Sequence, residues 1–127
     1  MAANTPIEVL EGINRLFPTG DLDKLLTLYD PEAVFVAQPG VVVKGWNAVR
    51  EGLSQMIELN LEFELTPKKV LEFEDTALVI SKWTMKDPLS GEVRVQGQSS
   101  DVVRRQPDGT WVLIIDNPHG LEWALQA

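Results

Sequence analysis

Apolar and polar residues alternate with two periods along this chain, helical in the first half and strand-like in the second. In "NTPIEVLEGINRLF", Val9, Ile13, Leu16 and Phe17 recur at helical spacing. Thr5 stands at the N-cap, Pro6 at the first helical position, and Glu8 completes a capping box. "PTG" stops this helix. "DLDKLLTLYD" predicts a second, short helix. Asp21 caps it, Leu22, Leu25, Leu26 and Tyr29 form its apolar face, and Pro31 lies just beyond its end. "AVFVAQPGVVVKG" predicts two short strands around a "QPG" turn. "WNAVREGLSQMIEL" returns to helical spacing through Trp46, Val49, Leu53 and Met56, with Asn47 as a candidate N-cap.

From Leu61 onward the period is two. "LEFELTPKKVLEFED" places Leu61, Phe63 and Leu65 on one side, and Pro67 predicts a bulge or bend because it cannot donate to a strand ladder. "TALVISKWTMKD", "VRVQGQSSDVVRRQ" and "WVLIIDN" follow, joined by tight turns. Helices first and a strand meander after them predict an α+β domain, with the helices covering one sheet face.

Alternation sorts the strand residues into faces. Ala77, Val79, Ser81, Trp83 and Met85 make the better core face of the second long strand. Val93, Val95, Gly97, Ser99, Asp101 and Val103 make that of the third, so Asp101 points inward. Pairing the last two strands across "PDGT" sets Asp101 opposite Asp116 and Val103 opposite Ile114, a register that a one-residue bulge would break. Two opposed carboxylates against a low-dielectric wall cannot both ionise freely. One keeps a proton, and such a pair can donate and accept at one site. The alternatives are a buried Asp101 satisfied by Ser81 or Ser99, and an Asp116 that caps the strand end at "DNPHG" in water. Trp83 and Tyr29 are candidate pocket walls or plain core. Gln38 falls in a turn, and His119 reads as a surface residue.

Composition narrows the chemistry. A chain of 127 residues predicts one domain over residues 1–127. No run approaches the ~18 apolar residues of a membrane span. The N-terminus has no basic segment leading into a long apolar one, so no signal peptide is expected and the cytoplasm is the expected location. Cysteine is absent and histidine occurs once, which removes thiolate catalysis and histidine or cysteine metal clusters. The net charge of −8 argues against a nucleic-acid partner. No metal or cofactor is expected.

"GDLDKLLTLYDPEAVFVAQPG" followed by "KGWNAVREGL" resembles the nuclear-transport-factor-2-like superfamily, in its ketosteroid-isomerase-like and polyketide-cyclase-like branch. "TALVISKWTM" and "DVVRRQPDGTWVLIID" fit its later strands, so the resemblance spans roughly residues 5–120. It implies a cone: a curved antiparallel or mixed sheet, closed by three helices from the N-terminal half, around a pocket. It also implies a homodimer through the outer sheet face, which would suit Val102, Leu113 and Ile115. The isomerase's proton-donating strand aspartate falls on Asp101. Its tyrosine falls on Ile13, and its base on Gln38, or on Ala37 with one residue gapped. The donor is kept while the base and the tyrosine are lost, which argues against that isomerisation.

Two functions follow as expectations. The first is a cofactor-independent acid/base enzyme on a small apolar cyclic or carbonyl compound. It would use Asp101 and Asp116 as its catalytic pair, with Trp83, Tyr29, Ser81, Ser99, Gln38 and Ile13 against the ligand. The second is a ligand-binding or interaction module with no turnover.

Overall fold

The computed structural model describes residues 2–125. Its first helix, α1 (Pro6–Leu16), starts where its capping residues require: Thr5 Oγ1 accepts the Glu8 N–H at 3.3 Å, and Glu8 Oε1 accepts the Asn4 N–H at 2.8 Å. A 3-10 turn, Phe17–Thr19, leads to α2 (Leu22–Leu26), capped by Asp21 accepting the Lys24 N–H. Helix α2 is shorter than its apolar spacing suggests. Tyr29 is not on it but opens strand β1 (Tyr29–Gln38), and Pro31 lies inside that strand. β2 (Val41–Lys44) returns antiparallel to β1.

Helix α3 (Trp46–Glu58) is not capped by Asn47. Gly45 takes the cap position with φ +95°, a conformation that side chains resist, and its carbonyl accepts the Val49 N–H. Four strands follow: β3 (Glu62–Phe73), β4 (Thr76–Lys86), β5 (Val93–Arg105) and β6 (Trp111–Asp116). A four-residue helix, α4 (Glu122–Leu125), comes last. The register of β3 against β4 shifts between Pro67 and Lys69, where proline interrupts the ladder.

The sheet runs β2-β1-β6-β5-β4-β3. β1 lies parallel to β6 and every other pairing is antiparallel, so the sheet is mixed, curved and unclosed. α1 and α3 cover its concave face. Val9, Leu10 and Ile13 of α1 and Val49 and Leu53 of α3 meet Phe35, Val79 and Leu113 in one core. Gly52 makes this packing possible: a Cβ there would lie 2.2 Å from the Phe35 ring. Val93 and Val95 do not join the core and are 43% and 41% exposed. β6 has ended before β5 reaches them, so no strand flanks them on that side. No helix among the described residues is long and apolar enough to cross a membrane.

Candidate functional site

The site is set by a bulge in β6. Val103 pairs with Leu113, not with Ile114, while Val102 pairs with Ile115. Ile114 is therefore the extra residue, and the side chains before it change faces. Leu113 turns inward to 1% exposure, which corrects its expected place on the outer face. Beyond the bulge the simple register resumes. The Ser100 N–H donates to the Asn117 carbonyl at 3.0 Å, and Asp116 stands beside Asp101 on the inner side. On its other flank Asp116 pairs with Phe35 of β1.

Three polar groups meet here. The Tyr29 hydroxyl donates to Asp116 Oδ2 at 2.6 Å. The Asp101 and Asp116 carboxyl groups are near enough to shift each other's titration, and Asp101 Oδ1 accepts the Asn117 N–H at 2.9 Å. Asp101 is buried on the inner face of β5, paired with Val79. Burial raises its pKa well above the usual carboxylate range, and the charge of Asp116 raises it further. Burial also raises Asp116, but the Tyr29 hydroxyl, Asp101 and His119 pull it back. Asp101 is thus the more strongly raised member and the readier to hold a proton, while Asp116, which accepts the Tyr29 hydroxyl, is the readier to carry charge. Burial and the Asp116 charge hold Tyr29 neutral, well above its ordinary range.

The opposite walls are apolar. Leu10 and Ile13 come from α1, Leu53 and Met56 from α3, and Phe63 from β3. The cavity measures about 40 Å³, room for roughly three waters at about 10–15 Å³ each. Trp83 closes one side. Its indole crosses Gly97, where a Cβ would lie 2.8 Å from the ring, and its Nε1–H donates to the Pro118 carbonyl at 2.7 Å. Ser99 lines the cavity, near enough to favour the charged form of Asp101 but in no hydrogen-bonding geometry. Ser81 pairs with Ser99 across the strands and is buried, yet it does not line the space. Gln38 is exposed at the end of β1 and makes no part of the wall; it lies instead in an open groove between β1, β2 and α3, beside Ala48 and Gln55. His119 is half-buried rather than a free surface residue, with Nε2 3.4 Å from the Ala37 carbonyl oxygen.

The SnoaL-like domain family matches residues 10–114. The chain belongs to that family, within the nuclear-transport-factor-2-like superfamily. No curated protein matches it. Solved structures share its fold at low identity. One, from Thiobacillus denitrificans, is assigned as a calcium/calmodulin-dependent protein kinase type II association domain. It is 16% identical over 92% of this chain and 95% of its own, with a TM-score of 0.80. A nuclear-transport-factor-2-like protein with a cystatin-like fold from Novosphingobium aromaticivorans is 18% identical over 86% of this chain and 75% of its own, with a TM-score of 0.74. A nuclear-transport-factor-2-like superfamily protein from Salmonella enterica is 17% identical over 87% of this chain and 84% of its own, at 0.67.

In this SnoaL-like domain the segment after β6 is part of the site, which strand alternation did not reveal. Asn117 organises it. Its side-chain amide donates to Ser100 Oγ at 3.1 Å and to the Gly120 carbonyl at 2.8 Å, while its Oδ1 accepts the His119 N–H. Gly120 has φ +66°, and its Cα lies so close to Gln98 that a Cβ would come within 2.9 Å of that carbonyl oxygen. In the sequence "DNPHG" reads as a strand end in water, whereas in the structure it folds back against β5.

Proposed function

We propose that this SnoaL-like domain binds a small neutral molecule, apolar apart from one oxygen function, and moves a proton on it with the Asp101–Asp116 pair. The reading is carried by one observation: two carboxyl groups side by side, one of them accepting a tyrosine hydroxyl, at the polar end of an otherwise apolar cavity. Asp101 gives its proton to a bound carbonyl oxygen while the Asp116 carboxylate takes one from the adjacent carbon. An enol forms, Asp101 becomes the anion and Asp116 the acid. Asp116 then gives its proton to the same carbon or a conjugated one while the enol hydroxyl returns its own to Asp101, which restores both groups. Tyr29 stabilises Asp116 whenever it carries the charge.

The test is deuterium exchange at the carbon beside the carbonyl of cyclopentanone, followed by NMR in heavy water. Wild type accelerates the exchange, and Asp101→Asn lowers that acceleration by about 10²–10⁴-fold, the usual worth of acid/base catalysis. Ketone binding without exchange sinks the catalytic reading. It supports instead a ligand-binding module, a reading favoured by Gln38, which stands exposed where a relative's base would be.

The same proposal includes a homodimer through the outer sheet face. Leu71, Leu78, Val102 and Ile115 are consecutive cross-strand partners there, an apolar row across four strands. Leu71 and Ile115 are 54% and 38% exposed in the single chain. An apolar band of this kind supports association.

A further inference from the structure

Most polar side chains of the cavity are occupied with one another. Tyr29 donates to Asp116, Asp101 accepts from Asn117, and Trp83 donates to Pro118. Ser99 is the exception among the described residues that line the space. It is 4% exposed, and its Oγ, although near the Asp101 carboxyl, makes no hydrogen bond. Ser81, its cross-strand neighbour, is 1% exposed and equally unpartnered. A buried hydroxyl without a partner opposes folding, and folded proteins keep few of them. Alanine would fit the same strand position without that cost.

We propose that Ser99 Oγ anchors the ligand, donating its O–H to an acceptor oxygen of a neutral molecule such as a ketone or aldehyde. This rests on the reading that the cavity takes a small molecule, and it specifies what fixes the molecule's orientation. Ser99 lies on the same inner face of β5 as Asp101, two residues away, so an oxygen held by its hydroxyl sits beside the carboxyl pair. The apolar remainder faces Leu10, Ile13 and Met56. Charge sets the class. Among the described residues no lysine, arginine or histidine lines the cavity and two carboxyl groups do, so a ligand anion meets repulsion. The volume, room for about three waters, excludes an extended ring system, and a five-membered ring enters only where side chains of the apolar wall such as Ile13 and Met56 yield to it.

The experiment titrates the full chain with four five-membered-ring probes by ligand-observed NMR: cyclopentanone, methylenecyclopentane, cyclopentylamine and cyclopentanecarboxylate. Methylenecyclopentane keeps the ketone's shape but has no acceptor oxygen. Wild type is expected to bind the ketone in preference to the other three. In Ser99→Ala the ketone weakens by about 3- to 10-fold while methylenecyclopentane is unchanged, as the loss of one hydrogen bond requires. Ser99→Cys, similar in shape but a weak donor, shows the same selective loss. Ser99→Ala should also unfold at the same or higher urea concentration, since it removes an unpaired buried group. Ketone binding that Ser99→Ala leaves unchanged overturns the anchor alone. So does preferred binding of the amine, or a destabilised Ser99→Ala protein that shows the hydroxyl to be structural. Failure of all four probes to bind wild type overturns the small-molecule reading, and the anchor with it.

Discussion

The Tyr29 hydroxyl reaches Asp116 Oδ2 at 2.6 Å, linking the first residue of β1 to the last of β6 across a parallel strand pair. Tyr29 is 2% exposed, so this bond is shielded from solvent. Its acceptor is the member of the carboxyl pair readier to carry charge. Hydrogen bonds to charged groups contribute about 1.5–3 kcal/mol, more than those between neutral groups.

Tyr29→Phe keeps the ring and removes the donor. At pH 7 it should destabilise by about 1.5–3 kcal/mol. Asp116 loses a group that pulls its pKa down, so its folded pKa rises further above the unfolded value of about 3.9. That increases the cost of its charge at pH 7. Below about pH 4 the carboxyl is neutral in both folded and unfolded chains, and the gap between variant and wild type should narrow. Urea unfolding at pH 7 and pH 4 checks both points. An equal loss at the two pH values would mean the bond is made to a neutral carboxyl.

Gly97→Ala should disturb the cavity without touching its carboxyl groups. The new Cβ would lie 2.8 Å from the Trp83 indole, so the ring must shift and strain its bond to Pro118. Overpacking of this kind costs about 1–3 kcal/mol. Near-UV circular dichroism should weaken as Trp83 loses its fixed setting. An unchanged spectrum with unchanged stability would show that the indole has room to move.

The outer-face proposal predicts that Ile115→Lys is monomeric in sedimentation at tens of micromolar, where wild type is dimeric. Ile115 is 38% exposed in the single chain, so the lysine ammonium can reach water and the fold should survive. A wild-type monomer at that concentration ends the proposal.

Local rules carried the sequence analysis far. Thr5, Pro6 and Glu8 mark the start of α1 through contacts made within a few residues. Strict alternation in β4 and β5 placed Val79, Ser81, Trp83, Ser99 and Asp101 on one face, because a strand's side-chain period is fixed by its backbone. What escaped depends on distant partners. Tyr29 follows a helical apolar spacing, yet pairing with β6 draws it into a strand. The bulge at Ile114 carries no glycine or proline to announce it, and it alone reverses Leu113. Gly52 and Gly97 are small because Phe35 and Trp83, far away in sequence, cross them. The role of Asn117 rests on hydrogen bonds to β5, which a linear pattern cannot display.

The sharpest prediction concerns Asp101→Asn. Asparagine keeps the shape: its Oδ1 can still accept the Asn117 N–H, and its amide keeps a donor beside Asp116 in place of the carboxyl proton. What it removes is a titration. In the folded protein Asp101 has a raised pKa, by burial first and by Asp116 second, while in the unfolded chain it ionises near 3.9. At pH 7 folding must therefore take up a proton or bury a charge, and either opposes folding. Below about pH 4 the group is neutral in both states and the penalty vanishes. As pH rises from there towards the raised folded pKa, the penalty grows. Asp101→Asn should then be neutral or stabilising at pH 7, with the benefit shrinking as pH falls towards 4. Any catalysed proton exchange should be lost in the same protein, because an amide cannot pass a proton. Unfolding of both forms across pH 4–8 measures the first effect. A variant that is less stable than wild type at pH 7, and less so at pH 4, would make Asp101 an ionised, well-paired structural residue and end the shared-proton description of the site.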